Sequence, residues 1–238
     1  MCRRRNRNDK SCQKYRKIMA NLIFDYDGTI HNSMKIYEPS FRNAYQWLVD
    51  NNYAEQRDFS YEEISYWLGF NSTDMWQQFQ PNLAPEIKEK VRKILGNYMG
   101  EYAENGKAEL FDGAEDMLLD LKNQGHTLIF LSNCRVQYME RHKRIFRLDR
   151  FFDYFYCCEE YDFLPKYQIF RKISSQHSGQ YIIIGDRFHD IETATKNGLK
   201  SIGCGYGYGT VKELEKSDII VNNINEIPAA VKLLTEEI

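Results

Sequence analysis

The second half of the sequence alternates short apolar runs with longer amphipathic segments. We predict strands at 127–131, 154–157, 181–185, 200–204 and 219–221. Helical periodicity predicts helices at 113–124, 135–147, 166–177, 189–197, 211–216 and 225–236. Strands that alternate with helices form parallel βαβ units, so this region is expected to be a doubly wound, Rossmann-like parallel sheet of the α/β class.

One further strand is predicted near the start of the chain. Residues 22–24 form an apolar run bounded by turn residues, which is typical of a strand buried on both faces. Four helices are then predicted, at 35–52, 60–68, 72–79 and 85–104, and Ser33 is a candidate N-cap for the first. We therefore predict a sheet domain of 21–32 and 106–238, with 33–105 inserted as an α-helical cap domain.

The first twenty residues differ in charge from the remainder. They contain eight Lys or Arg residues and one acid, a net charge of about +7, whereas the whole chain has a formal net charge of -2. Such a tail can bind nucleic acid or a membrane surface. A disordered, solvated extension is the favoured interpretation of residues 1–20, and no nucleic-acid partner is expected.

The cysteines and the hydropathy pattern favour a cytoplasmic protein. Six cysteines occur without a C-x-x-C motif or zinc-ligand spacing, and Cys157 and Cys158 are adjacent. Reduced thiols are therefore expected. No apolar run approaches the length of a membrane span, so no membrane partner is expected either.

Polar residues follow or flank the predicted core strands. They are Asp25, Asp27, Ser132, Asn133, Lys166, Asp186 and Asp190. In a parallel sheet the carboxyl ends of the strands share one edge, so these side chains are expected to converge. Hard oxygen ligands beside one ammonium favour a Mg²⁺-assisted phosphate site. Taken singly, each has an ordinary alternative, such as a helix cap for Ser132 or a solvated surface position for Lys166.

Four motifs resemble those of the haloacid dehalogenase-like (HAD) hydrolase superfamily, in the subgroup with a helical cap after the first strand. They are Asp25-Tyr-Asp27-Gly-Thr, Ser132-Asn133, Lys166 and Gly185-Asp186-Arg-Phe-His-Asp190. The resemblance covers about 21–238, and 197–209 is similar to phosphoglycolate-phosphatase-like members. Two positions depart from the pattern: Tyr167 stands where many relatives have Pro, and Arg187 where Ser or Thr is common.

The resemblance implies a role for each matching residue. Asp25 would be the nucleophile that forms an aspartyl-phosphate, and Asp27 the general acid and base. Phosphate oxygens would be held by Ser132, the Asn133 amide and Lys166. Mg²⁺ would be held by Asp25, the main-chain carbonyl of Asp27 and Asp186, with Asp190 in support.

A phosphatase for a small phosphorylated metabolite is the leading functional hypothesis, and the resemblance favours a phosphoglycolate-like substrate. A sugar phosphomutase is an alternative, although Tyr37 stands where such mutases carry a His. A nucleotide 5'-phosphatase is a second alternative. Asp27 argues against a dehalogenase, and the intact motifs argue against a non-catalytic binding module.

Substrate specificity and oligomeric state stay open. Residues 69–72 could form a specificity loop between two cap helices. Phe70 and Trp76 could stack on an aromatic leaving group, but packing within the cap is the favoured interpretation of these aromatic residues.

The basic extension is predicted to be dispensable for folding and for hydrolysis. A chain that begins at Met19 should remain soluble and keep its turnover, because Arg3–Lys17 has too little apolar content to pack on a domain. Circular dichroism and a phosphate-release assay would check this. An insoluble or inactive shortened chain would show instead that the extension belongs to the folded domain.

Overall fold

A single parallel sheet forms the centre of the computed structural model, which describes residues 19–236. Its strands are β1 (Ala20–Phe24), β2 (Thr127–Ser132), β3 (Tyr154–Cys157), β4 (Gln180–Gly185), β5 (Lys200–Cys204) and β6 (Ile219–Val221). They lie in the order β3-β2-β1-β4-β5-β6, and every neighbouring pair is parallel. The predicted doubly wound α/β fold is confirmed.

The first strand occupies the middle of the sheet. Leu22 pairs with Leu128 on one side and with Ile182 on the other, so β1 has no free edge. Leu22 belongs to the larger apolar cluster on one face, while Ile23 belongs to a second cluster on the opposite face. Burial on both faces explains why the strand reads as a continuous apolar run rather than an alternating one.

Helices cover both faces of the sheet. They are α5 (Ala114–Asn123), α6 (Val136–Phe146), α7 (Lys166–Ile173), α8 (Phe188–Asn197), α9 (Val211–Leu214) and α10 (Ile227–Glu236). Within the described residues, no helix is both long enough and apolar enough to cross a membrane.

The insert after β1 is entirely helical, as predicted. It contains α1 (Met34–Asp50), α2 (Tyr61–Ser65), α3 (Ser72–Phe79) and α4 (Pro85–Glu104). These helices share an apolar cluster of their own, with Phe41, Trp76 and Val91 buried in it. A separate cluster is what an inserted cap needs for its own stability. The exact division at 32–33 and 105–106 stays a prediction.

Several predicted boundaries differ from the structure. The helices expected at 60–68 and 166–177 end at Ser65 and Ile173, the second passing into a 3-10 turn. The strand β1 begins at Ala20, which the prediction had assigned to the basic extension. The rest of that extension, 1–18, lies outside the described residues.

Ser33 does not make the predicted cap. It precedes α1, but its hydroxyl makes no capping hydrogen bond to that helix. It donates to Asp27 instead, at 2.6 Å. A capping residue normally has an extended backbone, which lets its hydroxyl oxygen accept from the first N–H groups of the helix, whereas Ser33 is helical with φ -66° and ψ -26°.

Two neighbouring leucines on α5 test the assignment of the core. Leu118 is fully buried in the larger cluster, whereas Leu119 is 44% exposed. Leu118→Ala should lower the free energy of unfolding by about 2–5 kcal/mol, because it removes buried methyl groups and leaves a cavity. Leu119→Ala is the matched control and should change it by about 0.5 kcal/mol or less. Urea denaturation measures both, and equal losses would contradict the packing described above.

Candidate active site

Residues from four separate segments meet at the carboxyl edge of the sheet. Asp25 follows β1, Asp186 follows β4, Lys166 begins α7 and Asp190 lies in the first turn of α8. Asp25, Asp186 and Asp190, hereafter the acid cluster, each place a carboxylate oxygen within 4.8 Å of the others, and all three are buried. Ser132 ends the neighbouring β2 and is also buried.

A buried lysine is the counter-charge of the acid cluster. Lys166 Nζ lies 2.7 Å from Asp25 Oδ1 and 2.7 Å from Asp190 Oδ1. Burial alone would lower the pKa of Lys166, but the carboxylates of Asp190 and Asp25 raise it above its ordinary value. Lys166 is therefore an ammonium in this structure. One ammonium among three carboxylates leaves an excess of negative charge in a water-poor site.

This excess of charge appears in the pKa values of the carboxyl groups. Burial, followed by repulsion from Asp190, raises the pKa of Asp25 well above its ordinary value, although Lys166 acts in the opposite direction. The same two causes raise the pKa of Asp186 to about 7. Both carboxyl groups would ionise more readily if a further positive charge were present.

The residues of the acid cluster fit a divalent cation. Asp25 Oδ2 is buried and accepts no hydrogen bond from any described residue. All of the donor atoms are carboxylate oxygens, which are the ligands that Mg²⁺ prefers. An unpaired buried oxygen is costly unless a ligand satisfies it, so the site is suited to a small hard cation.

Glycines let the backbone approach Asp186 closely. Gly28 has a positive φ of 86°, and a side chain at this position would collide with the Asp186 carboxylate. A side chain at Gly209 would collide with the Asp186 carbonyl. The same glycine-rich loop supplies the Tyr208 N–H, which donates to Asp186 Oδ2 at 2.7 Å. The sequence similarity of 197–209 to relatives gave no indication of this contact with Asp186.

Asp27 occupies a different environment from the acid cluster. Its Oδ1 accepts hydrogen bonds from Ser33 Oγ at 2.6 Å and Tyr138 Oη at 2.6 Å, and lies 3.1 Å from His31 Nδ1. Burial acts to raise the pKa of Asp27, but these partners outweigh it and hold the pKa below its ordinary value. Asp27 is therefore a carboxylate in this structure.

Sequence reasoning missed the residues that hold Asp27. His31 lies four positions later, which is a weak signal, and Tyr138 lies 111 positions away on α6. Nothing in the local sequence pattern connects Tyr138 to the first strand. Only the folded arrangement brings them together.

Core side chains bind the backbone of 66–72, hereafter the cap loop. Arg187 donates through Nη1 to the Tyr66 and Leu68 carbonyls, and through Nε to Glu213 at 2.9 Å. The Asn133 side-chain amide donates to the Gly69 carbonyl at 2.8 Å. The cap loop is thus held against the strand ends on two sides.

A cavity of about 150 Å³ separates the strand ends from the cap. Asp25, Asp27 and Ser132 line its floor, and residues from the cap loop, α3 and α4 line the opposite wall. A small molecule can therefore contact the candidate catalytic carboxylates and the cap at the same time.

Comparison with known proteins assigns the chain to a family. Residues 22–204 match the family described as haloacid dehalogenase-like hydrolase. Because this match spans most of the chain, the protein belongs to the haloacid dehalogenase-like hydrolases. The predicted family and the prediction that the chain is an enzyme are both confirmed.

Individual relatives are distant but cover most of the chain. A 5'-nucleotidase from Pseudomonas aeruginosa is 24% identical over 200 residues, which is 82% of this chain and 86% of that protein. A pyrophosphatase PpaX from Bacillus cereus is 20% identical over 212 residues, covering 87% of this chain and 93% of that protein.

Solved structures show the same fold. A predicted phosphatase from Clostridium acetobutylicum has a TM-score of 0.74 at 22% identity and covers 91% of this chain and 100% of that chain. A predicted phosphoglycolate phosphatase from Haemophilus somnus has a TM-score of 0.73 at 20% identity and covers 90% of this chain and 98% of that chain. At these identities the likeness establishes the fold.

The Arg187 contacts predict a local effect of its removal. Arg187→Met should increase amide hydrogen exchange in the cap loop by about tenfold or more, because it removes charge-assisted hydrogen bonds worth about 1.5–3 kcal/mol each. Arg171→Met is the matched control, since exposed Arg171 donates to the Lys196 carbonyl within the sheet domain. Unchanged exchange in the cap loop of Arg187→Met would contradict the described role.

Proposed function

We propose that this enzyme is a Mg²⁺-dependent phosphatase that hydrolyses small organic phosphate monoesters through an aspartyl-phosphate on Asp25. The observation that carries the proposal is the buried acid cluster, whose Asp25 contacts Lys166 and lines the floor of a cavity. The family and the names of the relatives, which include a 5'-nucleotidase and a pyrophosphatase, support the same class of chemistry.

Asp25 is the proposed nucleophile. Its carboxylate would attack phosphorus, the bond from phosphorus to the alcohol oxygen would break, and the phosphoryl group would remain on Asp25. Lys166 would offset the repulsion between the two anions, since it already contacts Asp25 at 2.7 Å. Ser132 and the main-chain amide at Asn133 would hold phosphate oxygens. The side-chain amide of Asn133 is not assigned this role, because it already donates to the Gly69 carbonyl of the cap loop.

Asp27 is the proposed acid and base. Asp27 would first take up a proton as the substrate binds and would give it to the departing alkoxide. It would later accept a proton from the water that hydrolyses the aspartyl-phosphate. The hydrogen bonds from Ser33 and Tyr138 fix its carboxylate at the cavity wall. Its lowered pKa suits the second of these roles, in which it must be ionised.

The proposed Mg²⁺ ligands are Asp25, the Asp27 main-chain carbonyl and Asp186, with Asp190 in support. When bound, the cation would offset the negative charge of the carboxylates and of the phosphoryl group.

Two classes of phosphate ester are the candidate substrates. The resemblance favours a phosphoglycolate-like ester, and a nucleoside 5'-monophosphate is the second candidate because of the 5'-nucleotidase relative. A sugar phosphomutase is less favoured, since Tyr37 lines the cavity where mutases of this subgroup carry a His. A cytoplasmic location also belongs to the proposal, and it agrees with the free thiols of Cys134, Cys157, Cys158 and Cys204.

Metal binding tests the proposal without relying on turnover. Calorimetric titration of the protein with MgCl₂ should show one site at the acid cluster. Asp186→Asn should weaken binding by at least about tenfold, because even outer-shell changes cost about 10–100-fold in metal affinity. Asp149→Asn, which changes an exposed acid, is the matched control. Mg²⁺ binding that is equal in all three proteins, or full activity in excess chelator, would overturn the metal assignment.

The two acids of the first motif are predicted to differ in their substrate dependence. Asp25→Asn should abolish turnover of every ester, because an amide is a poor nucleophile. Asp27→Asn should reduce turnover of propyl phosphate by about 10²–10⁴-fold, since an alkoxide must be protonated as it departs. Its effect on phenyl phosphate should be smaller, because phenoxide needs little protonation. Steady-state assays at saturating Mg²⁺ measure all four rates.

Equal losses on the two esters for Asp27→Asn would refute its role as acid. Retained turnover in Asp25→Asn would refute the covalent mechanism.

A further inference from the structure

The cap wall of the cavity is aromatic and sulfur-rich. The side chains concerned are Trp67, Phe70, Met75, Trp76 and Met99. Trp67 and Phe70 are half-buried, and their ring centroids lie 5.7 Å apart at an interplanar angle of 58°. These residues are not only part of the apolar core of the cap, because their rings and thioethers also line the cavity that contains Asp25.

The charged side chains around the cavity already have partners. Arg92 Nε donates to Glu89 at 2.7 Å, and Arg135 Nη1 lies 2.6 Å from Glu159. Arg92 and Arg135 are the two arginines that line the cavity, and the described lining residues include no lysine. The cavity also contains the Asp27 carboxylate. A leaving group with its own carboxylate would thus meet a negative charge and two arginines that are already paired.

The size of the cavity limits what can occupy it. An apolar cavity of about 150 Å³ can accommodate benzene, and the cavity here has a volume of about 150 Å³. That volume suits one aromatic ring.

We propose that the substrates of this enzyme are phosphate monoesters whose alcohol carries a single aromatic ring, with the ring held against Trp67 and Phe70. This inference rests on the proposed phosphatase function. Within that function, it favours an ester of a neutral aromatic alcohol over the phosphoglycolate-like ester that the resemblance implies. Burial of a ring against aromatic and thioether side chains supplies the affinity, and the phosphoryl group is oriented at Asp25.

Gly96 on α4 offers a way to fill the cavity without disturbing the core. It forms part of the cavity wall, and a β-carbon at this position would meet no atom within 4 Å. Leu has a higher helix propensity than Gly, so Gly96→Leu should preserve the helix. The adjacent Asn97 is exposed and lies outside the cavity lining, which makes Asn97→Leu the matched control.

The experiment compares kcat/KM for benzyl phosphate, propyl phosphate and phosphoglycolate with Mg²⁺ present. Benzyl and propyl esters both release an alkoxide, so their ratio isolates the ring from leaving-group chemistry. Benzyl phosphate should exceed propyl phosphate by about tenfold or more, given the additional apolar area that the ring buries. Phosphoglycolate should be the poorest of the three.

Two variants should reduce the preference for the ring. Gly96→Leu adds bulk at the exposed edge of the cavity wall, and Trp67→Leu removes part of the aromatic wall. Each should lower the benzyl-to-propyl ratio by about fivefold or more, which corresponds to the loss of part of one ring's burial. Asn97→Leu should leave the ratio unchanged. An equal preference for benzyl and propyl esters, or a preference for phosphoglycolate, would overturn the inference.

Ligand binding separates this inference from the phosphatase function. Quenching of tryptophan fluorescence should report tighter binding of benzylphosphonate than of propylphosphonate, and Gly96→Leu should abolish the difference. If none of the three esters were hydrolysed but this difference in binding persisted, the phosphatase function would fail and the aromatic site would stand. If the two phosphonates bound equally, the aromatic site would be refuted whatever the turnover.

Discussion

One buried ammonium among three buried carboxylates is the interaction on which the rest of the structure depends. Lys166 contacts Asp25 and Asp190 directly, and main-chain N–H groups satisfy further oxygens of the acid cluster, as in the 3.1 Å bond from the Arg187 N–H to Asp190 Oδ2. The parallel sheet brings the carboxyl ends of distant strands together at one edge. The negative charge that remains suits the acid cluster to a cation, and in the proposed function that cation would help to hold a phosphoryl group.

The sheet could be predicted because its signals are local. The apolar run of β1 and the polar residues at the strand ends are both visible within a few positions of the sequence. The partners of Asp27 could not be predicted, because Tyr138 reaches it from a helix 111 positions away. The cap expected at Ser33 fails for a different reason: the backbone of Ser33 is helical, with φ -66° and ψ -26°, whereas a capping residue is normally extended. Sequence alone does not reveal that conformation.

Arg187, which stands where Ser or Thr is common in the family, binds the cap loop in this structure. Its guanidinium is almost fully buried, and Glu213 and two cap-loop carbonyls satisfy it. A buried charge is tolerated only where hydrogen-bond partners satisfy it, so the contacts of Arg187 hold the cap loop close to the strand ends. Because Arg187 directly follows Asp186, the residue that binds the cap loop is the neighbour of a residue of the acid cluster.

The apolar wall of the cavity also affects the chemistry beneath it. Aromatic side chains exclude water, and the low dielectric that results strengthens the attraction between Lys166 and Asp25. Hydrolysis of an aspartyl-phosphate nevertheless needs one water molecule beside Asp27. Departure of the alcohol supplies that space, since a cavity of about 150 Å³ exceeds the roughly 30 Å³ that one water occupies in the liquid. The hydrogen bonds that keep Asp27 ionised then leave it ready to accept the proton of the water that enters. In the proposed mechanism, water would therefore reach the phosphoryl group only after the alcohol has left.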